Sequence, residues 1–66
     1  MQIKVNGELR EFGAGLSVAA LAEQLRLNPK QVAVERNLEV VPRSRYNEIM
    51  LSDGDSIEIV RFIGGG

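Results

Sequence analysis

The sequence predicts an α+β fold in which a mixed sheet of four to five strands carries one main helix on one face. Three observations lead to this prediction: alternating polar and apolar residues over Gln2–Val5, a single amphipathic segment after Ser17, and a largely apolar final segment, Ser56–Ile63. A sheet that covers one helix is built most simply when its last strand lies parallel to its first and the helix crosses one face.

The first predicted element is a β-hairpin. Residues Gln2–Val5 alternate with the period of a half-buried strand, and Asn6-Gly7 tolerates the positive φ angles of a type I′ turn. The return strand is predicted over Glu8–Phe12. Because Leu9 and Phe12 have opposite parity, we expect either that one of them lies near the edge or that a bulge intervenes.

One amphipathic helix follows the hairpin. Four apolar residues recur at helical spacing and share one stripe: Val18, Leu21, Ala22 and Leu25. Ser17 stands where a side-chain oxygen accepts from the first free N–H groups of a helix, so the helix is expected to begin there. Pro29 disfavours helical backbone at the residue before it, and we expect the helix to end near Arg26 or Leu27.

The second half of the chain predicts two short strands, a connector and a final strand. The first short strand is predicted over Gln31–Glu35, and a tight turn at Arg36-Asn37 leads to the second, Leu38–Val41. Residues Arg43–Met50 have weak helical signals that fit a single 3₁₀ turn. Asp53-Gly54-Asp55 predicts a turn before the last strand.

In this order the elements predict a β-grasp. Eight residues are predicted to form its core: Ile3, Val5, Val18, Leu21, Leu25, Val34, Ile57 and Ile59. Burying one Val, Leu or Ile side chain is worth about 1.5–3 kcal/mol. In so small a domain, a polar substitution at Leu21 is expected to be enough to unfold the protein.

Composition excludes several classes of function. The 66 residues include no cysteine and no histidine, which removes disulfides, thiolate nucleophiles and hydroxyl nucleophiles activated by histidine. Eight basic and nine acidic residues give a net charge of −1 without a basic cluster, so neither nucleic acid nor a membrane surface is predicted as a partner. No apolar run approaches the roughly 20 residues that are needed to cross a bilayer. The residues after Met1 do not have the pattern of a signal sequence. The expected location is the cytoplasm.

Two local motifs suggest ligands only weakly. Asp53-Gly54-Asp55 lacks the further acidic ligands of a calcium-binding loop. Arg43 and Arg45 near Tyr46 fit either an anion site or a solvated connector. We predict neither a metal site nor a cofactor.

The last predicted strand presents a candidate docking surface. Ile57 and Ile59 have one parity, and Val60 and Phe62 have the other. If the first pair faces the helix, the second pair lies on the open face of the sheet, where a contiguous apolar patch indicates an interaction surface. A strand buried on both faces is the alternative.

Three glycines follow this strand. We predict a β-grasp domain over residues 1–63 and a flexible glycine tail over 64–66. Glycine has no Cβ, so Gly64 and Gly65 are suited to pass through a narrow channel in a partner enzyme, and Gly66 presents its α-carboxylate at the end. Adenylation by ATP turns a carboxylate into an acyl group with a good leaving group. A frayed terminus is the alternative interpretation.

Several stretches spread over the full chain form a recognisable set: Val5-Asn6-Gly7-Glu8, the Leu21–Leu27 helix, Val34-Glu35-Arg36-Asn37, Val41-Pro42-Arg43, residues 53–60 and the terminal Gly64-Gly65-Gly66. In these stretches the chain resembles the ThiS family, the sulfur carriers of thiamin biosynthesis, which are small ubiquitin-like β-grasp proteins.

The resemblance implies a carrier that is not itself an enzyme. A ThiF-like adenylyltransferase would use ATP to activate Gly66, sulfur drawn indirectly through a cysteine desulfurase would form a thiocarboxylate, and thiazole synthase, ThiG, would take that sulfur. Gly65 and Gly66 match the tail positions of the family. A ubiquitin-like modifier, or a sulfur carrier for molybdopterin or cysteine synthesis, remains an alternative because each would use the same tail.

Overall fold

A five-stranded mixed sheet with one α-helix across one face forms the described part of the computed structural model, residues 1–62. The predicted β-grasp arrangement is therefore confirmed. Ile63, at the end of the last predicted strand, and the predicted glycine tail over 64–66 lie outside the described residues.

The sheet has the strand order β2-β1-β5-β3-β4. Its strands are β1 (Gln2–Val5), β2 (Glu8–Glu11), β3 (Val32–Arg36), β4 (Glu39–Val40) and β5 (Ser56–Arg61). The helix α1 spans Val18–Gln24, and two 3₁₀ turns span Pro29–Gln31 and Arg43–Arg45. As predicted, β5 runs parallel to β1 in the middle of the sheet, whereas the other neighbouring strands are antiparallel.

The opening hairpin forms as predicted. Asn6 and Gly7 make the turn with φ angles of 50° and 82°, the left-handed conformation that a type I′ turn requires. The register of β1 with β2 is continuous from Gln2 opposite Glu11 to Val5 opposite Glu8, so the hairpin contains no bulge. The other expectation, that one of the two apolar residues lies near the edge, is the one that holds. Leu9 is 60% exposed on the edge strand, and Phe12 packs against the core after that strand has ended.

The helix begins where predicted but ends earlier. The Ser17 hydroxyl accepts from the Ala20 N–H at 3.0 Å and caps the N-terminus. The predicted end near Arg26 or Leu27 is wrong, because the helix stops at Gln24. Arg26 has a φ angle of 62°, its N–H bonds to the Glu23 carbonyl, and the Leu27 N–H bonds to the Ala22 carbonyl. These two bonds form a Schellman motif, which ends the helix before Pro29 acts.

The β3–β4 hairpin is shifted by about one residue from its prediction. The Asn28 side chain caps a 3₁₀ turn before β3, so the strand begins at Val32 instead of Gln31. The predicted turn at Arg36-Asn37 lies at Asn37 and Leu38, whose φ angles are 51° and 71°. As a result β4 contains Glu39–Val40 and not the whole of the predicted Leu38–Val41.

The connector between β4 and β5 packs against the helix. The predicted 3₁₀ turn is present at Arg43–Arg45. Tyr46 is buried, and its hydroxyl donates to the Val32 carbonyl at 2.9 Å. The Leu51 N–H donates to the Leu16 carbonyl and the Val18 N–H to the Ile49 carbonyl, so the connector is fixed to the start of α1.

The core lies between α1 and the sheet. Seven of the eight predicted core residues are buried. Leu25 is the exception: it caps the end of the shortened helix and is only partly buried against the core. The core also includes residues that were not among the eight predicted core residues: Leu16, Ala19, Ala22, Val32, Val41, Tyr46 and Leu51.

Truncation of Leu21 to alanine is expected to destabilise the fold by about 2–5 kcal/mol, because the side chain is fully buried and its removal leaves a cavity. Urea denaturation followed by circular dichroism measures the change. The matched control is Leu9→Ala on the exposed edge strand, for which a change within about 0.5 kcal/mol is expected. Equal losses in the two variants would contradict this account of the core.

Candidate functional site

The two predicted docking residues lie at the end of the central strand. Val60 belongs to β5 and is 62% exposed, and Phe62 follows the end of β5 and is 43% exposed. Ile57 and Ile59, of the opposite parity, are buried beneath the helix. The strand is therefore not buried on both faces. The other predicted site residues, Gly64, Gly65 and Gly66, lie outside the described residues.

Long-range strand pairing completes an apolar surface around Val60. Ala33 of β3 lies directly opposite Val60, and Val40 of β4, which is 72% exposed, pairs with Glu35 on the same face. Ala33, Val40 and Val60 line one shallow hollow. We define the open-face patch as Ala33, Val40, Val60 and Phe62.

Arg43 approaches the patch at the end of β5. Its guanidinium lies 5.1 Å from the centre of the Phe62 ring, a cation–π contact. The Phe62 N–H also donates to the Gln31 carbonyl at 2.8 Å, so the backbone at the end of β5 is held to the start of β3. Phe62 is thus restrained in both side chain and backbone.

The anion site considered for the connector does not form from its three residues. Arg43 lies over Phe62, Arg45 pairs with Glu48 at 3.2 Å, and Tyr46 is buried with its hydroxyl bonded to a carbonyl. The two arginines therefore have separate partners, and Tyr46 has a role in packing.

Two acidic residues lie among the residues of the open-face patch and line the same hollow. Glu35 of β3 lies directly opposite Glu58 of β5, and both side chains are exposed. Like charges in this position destabilise a sheet. Within residues 1–62, no group of three or more histidine, cysteine or acidic residues is arranged to hold a metal ion, and no helix is long and apolar enough to cross a membrane.

Asn6 holds the second half of β5 in place. Its side-chain oxygen accepts from the Ile59 N–H at 2.7 Å, and its side-chain amide donates to the Ile59 carbonyl at 3.2 Å. The ladder of β1 with β5 ends at the pair Val5 and Ile57. The amide therefore continues this pairing beyond the point where β1 turns away. The sequence indicated Asn6 as a turn residue and gave no signal of this second role.

Asp55 fixes the other end of β5. Its buried carboxylate accepts from the Ser52 N–H at 2.8 Å, from the Asn37 side chain at 3.0 Å and from Arg36 Nε at 2.9 Å. Burial by itself would raise the pKa of this carboxyl, but these three donors outweigh it and hold the pKa of Asp55 below its ordinary value of 3.8. The ionised form therefore joins the β3–β4 hairpin to the start of β5.

The sheet order, the helix across one face and the exposed patch beside the last strand define a ubiquitin-like β-grasp protein. Residues 3–66 match the model of the ThiS family. The chain belongs to the ThiS family.

Three comparisons illustrate the relationship. Over all 66 residues the chain is 52% identical to a thiazole synthase of Paramagnetospirillum magneticum, of which it covers 20%. It is 46% identical over 50 residues to the sulfur carrier protein ThiS of Bacillus subtilis, with 76% of each chain covered. The crystal structure of the thiamine biosynthesis protein ThiS from Geobacter metallireducens superimposes with a TM-score of 0.85 and 33% identity, with both chains covered completely. The chain spans about a fifth of the length of the thiazole synthases that it matches.

The buried Asp55 carboxylate makes stability depend on pH. Because its folded pKa lies below its unfolded value, its contribution is fully present above pH about 4 and is lost as the pH falls through the folded pKa. The variant Asp55→Asn is expected to be less stable than the wild type by about 1–3 kcal/mol at neutral pH, and this difference should shrink on acidification to about pH 3. Urea unfolding at both pH values provides the test. A difference that stays constant between the two would contradict the assigned role.

Proposed function

We propose that this chain is a sulfur carrier of thiamin biosynthesis that acts in the cytoplasm and has no catalytic activity of its own. In the first step a ThiF-like adenylyltransferase joins the Gly66 carboxylate to the AMP part of ATP and releases pyrophosphate. A persulfide, supplied indirectly by a cysteine desulfurase, then displaces AMP to form an acyl disulfide. A second thiol reduces the S–S bond of this acyl disulfide, becomes part of a new disulfide and leaves a thiocarboxylate on Gly66. Thiazole synthase, ThiG, accepts that sulfur.

The match to the ThiS family over residues 3–66 is the observation that carries this proposal, because it includes the strand β5 and the three glycines after it. Two kinds of relative add support. One is named a sulfur carrier, and another, a thiazole synthase, includes a region similar to this whole chain.

The described structure is suited to such a role. The strand before the tail lies in the middle of the sheet, paired with β1 on one side and β3 on the other. We propose that partners dock on the open-face patch through Val60 and Phe62, while Gly64 and Gly65 pass into the partner active site. Docking on a preformed surface near the end of β5 would require little ordering of residues 1–62.

The composition is compatible with a passive carrier. The reacting atom is a main-chain carboxyl carbon, so the chain needs no nucleophilic side chain, and it has neither cysteine nor histidine. Activation and transfer would then be carried out by groups of the partner enzymes.

When the chain is produced together with the adenylyltransferase and a sulfur source, its intact mass is expected to rise by one oxygen-to-sulfur exchange at Gly66. A variant with one alanine appended after Gly66 is the control and should show no change, because the added residue moves the terminal carboxylate away from the position at which Gly66 is activated and brings a Cβ into a channel suited to glycine. Absence of the mass gain in the wild type under sulfur-replete conditions would refute the proposal. Attachment of the tail to lysines of other proteins would instead support a ubiquitin-like modifier.

The pathway has a separate test. Expression of the chain is expected to restore growth of a strain that lacks its own sulfur carrier and requires thiazole. Restored synthesis of molybdopterin or cysteine instead, with no growth in the absence of thiazole, would assign the carrier to one of those pathways.

Substitution Val60→Asp is expected to weaken binding to the adenylyltransferase and to thiazole synthase at least about tenfold, because it places a charge in the middle of the open-face patch. Val60 is 62% exposed, so thermal unfolding should change little. Isothermal titration calorimetry measures the binding, with Leu9→Asp on the edge strand as the matched control. Wild-type affinity of Val60→Asp for both enzymes would contradict docking through this patch.

A further inference from the structure

The tip of the β3–β4 hairpin carries a residue that the fold alone does not explain. Leu38 is 89% exposed, and its backbone is in the left-handed region with a φ angle of 71°. An exposed leucine forfeits the stabilisation of burial. A side chain with a Cβ in this region also strains the backbone, so glycine or asparagine is the usual choice.

The other non-glycine residues of the described chain with positive φ have local compensation. Asn6 and Asn37 are of the type that tolerates this conformation, and their side chains bond to Ile59 and to Asp55 and Ser56. Arg26 stands at the helix end within the two hydrogen bonds of the Schellman motif. Leu38 has an apolar side chain, which can make no such hydrogen bond. Strain of this kind is typical of functional positions.

The position of Leu38 suggests how it is used. Val32 lies opposite Arg61 and Arg36 opposite Ile57, so the hairpin tip is separated from the end of β5 by at least the four residue steps of β3. At about 3.3 Å per residue this is roughly 13 Å. Between the two ends lie Val40 and Val60 of the open-face patch. The exposed apolar residues therefore extend along the sheet from the hairpin to the strand that precedes the tail.

We propose that Leu38 is an anchor that inserts into an apolar pocket on thiazole synthase, at the end of the sheet opposite the C-terminal end of β5. This inference rests on the proposed sulfur-carrier function. Thiazole synthase is the partner to which we assign the contact, because relatives with that name include a region similar to this whole chain and so hold carrier and enzyme in one polypeptide. Two separated contacts, one at each end of the sheet, fix the orientation of the carrier on the enzyme. A single contact patch would leave the carrier free to rotate about it.

The test distinguishes the contribution of the Leu38 side chain to binding from the effect of its backbone conformation on stability. Leu38→Gly and Leu38→Asn both suit a positive φ angle, so each variant should melt at or above the temperature of the wild type. Both are expected to bind thiazole synthase at least about tenfold more weakly in isothermal titration calorimetry. Leu38→Met keeps a long apolar side chain and should retain most of the affinity. The control is Leu9→Asn, which removes an exposed leucine from the edge strand β2 and should bind like the wild type.

The outcomes distinguish this inference from the proposal on which it rests. If Leu38→Gly and Leu38→Asn bind thiazole synthase with wild-type affinity, the anchor is overturned. It is also overturned if these variants bind only the adenylyltransferase more weakly. A wild-type dimer in sedimentation that becomes monomeric in both variants would overturn it in favour of a second copy of this chain. If the wild type acquires the thiocarboxylate but does not bind thiazole synthase, the anchor and the thiamin assignment fail and sulfur carriage alone stands. If the thiocarboxylate never forms, the carrier function fails.

Discussion

The parallel pairing of β1 with β5 is the contact on which the rest of the structure depends. It joins strands from opposite ends of the sequence, yet its ladder contains two residue pairs, Lys4 with Ser56 and Val5 with Ile57. The Asn6 side chain extends it by bonding both backbone groups of Ile59. With β3 on the other side, β5 is held along its length as the central strand. The proposed reacting group therefore comes after the central strand of the sheet, which is paired on both sides.

Local signals in the sequence predicted most of the fold. The Asn6-Gly7 turn, the Ser17 cap and the apolar stripe of the helix each depend on neighbouring residues. Each is confirmed, except that Leu25 of the stripe lies past the helix end and is only partly buried. The errors lie where backbone conformation departs from residue preference. Arg26 adopts a conformation usually taken by glycine, so the early end of the helix had no sequence signal. Leu38 also has a positive φ angle, so the observed turn of the hairpin lies one residue after the predicted one.

The candidate site was predicted less completely. Parity within a single strand was enough to predict that Val60 and Phe62 are exposed while Ile57 and Ile59 are buried. Their neighbours could not be predicted, because the register of β5 with β3 decides that Ala33 lies opposite Val60 and that Glu35 lies opposite Glu58. Such long-range pairing depends on the whole sheet and not on the residues beside it in sequence. The same holds for the contact of Arg43 with the Phe62 ring.

The open face is not optimised for the isolated fold. It exposes apolar side chains and places Glu35 directly opposite Glu58. Repulsion within such a pair lowers the stability of the sheet by about 0.2–1 kcal/mol. A carrier that passes from an activating enzyme to an accepting one must also leave each of them, so very tight docking would slow its own cycle. A small patch, only partly apolar and divided by charge, favours moderate affinity. Under the proposed function, specificity then comes from several separated contacts along the sheet, and no single contact needs to bind strongly.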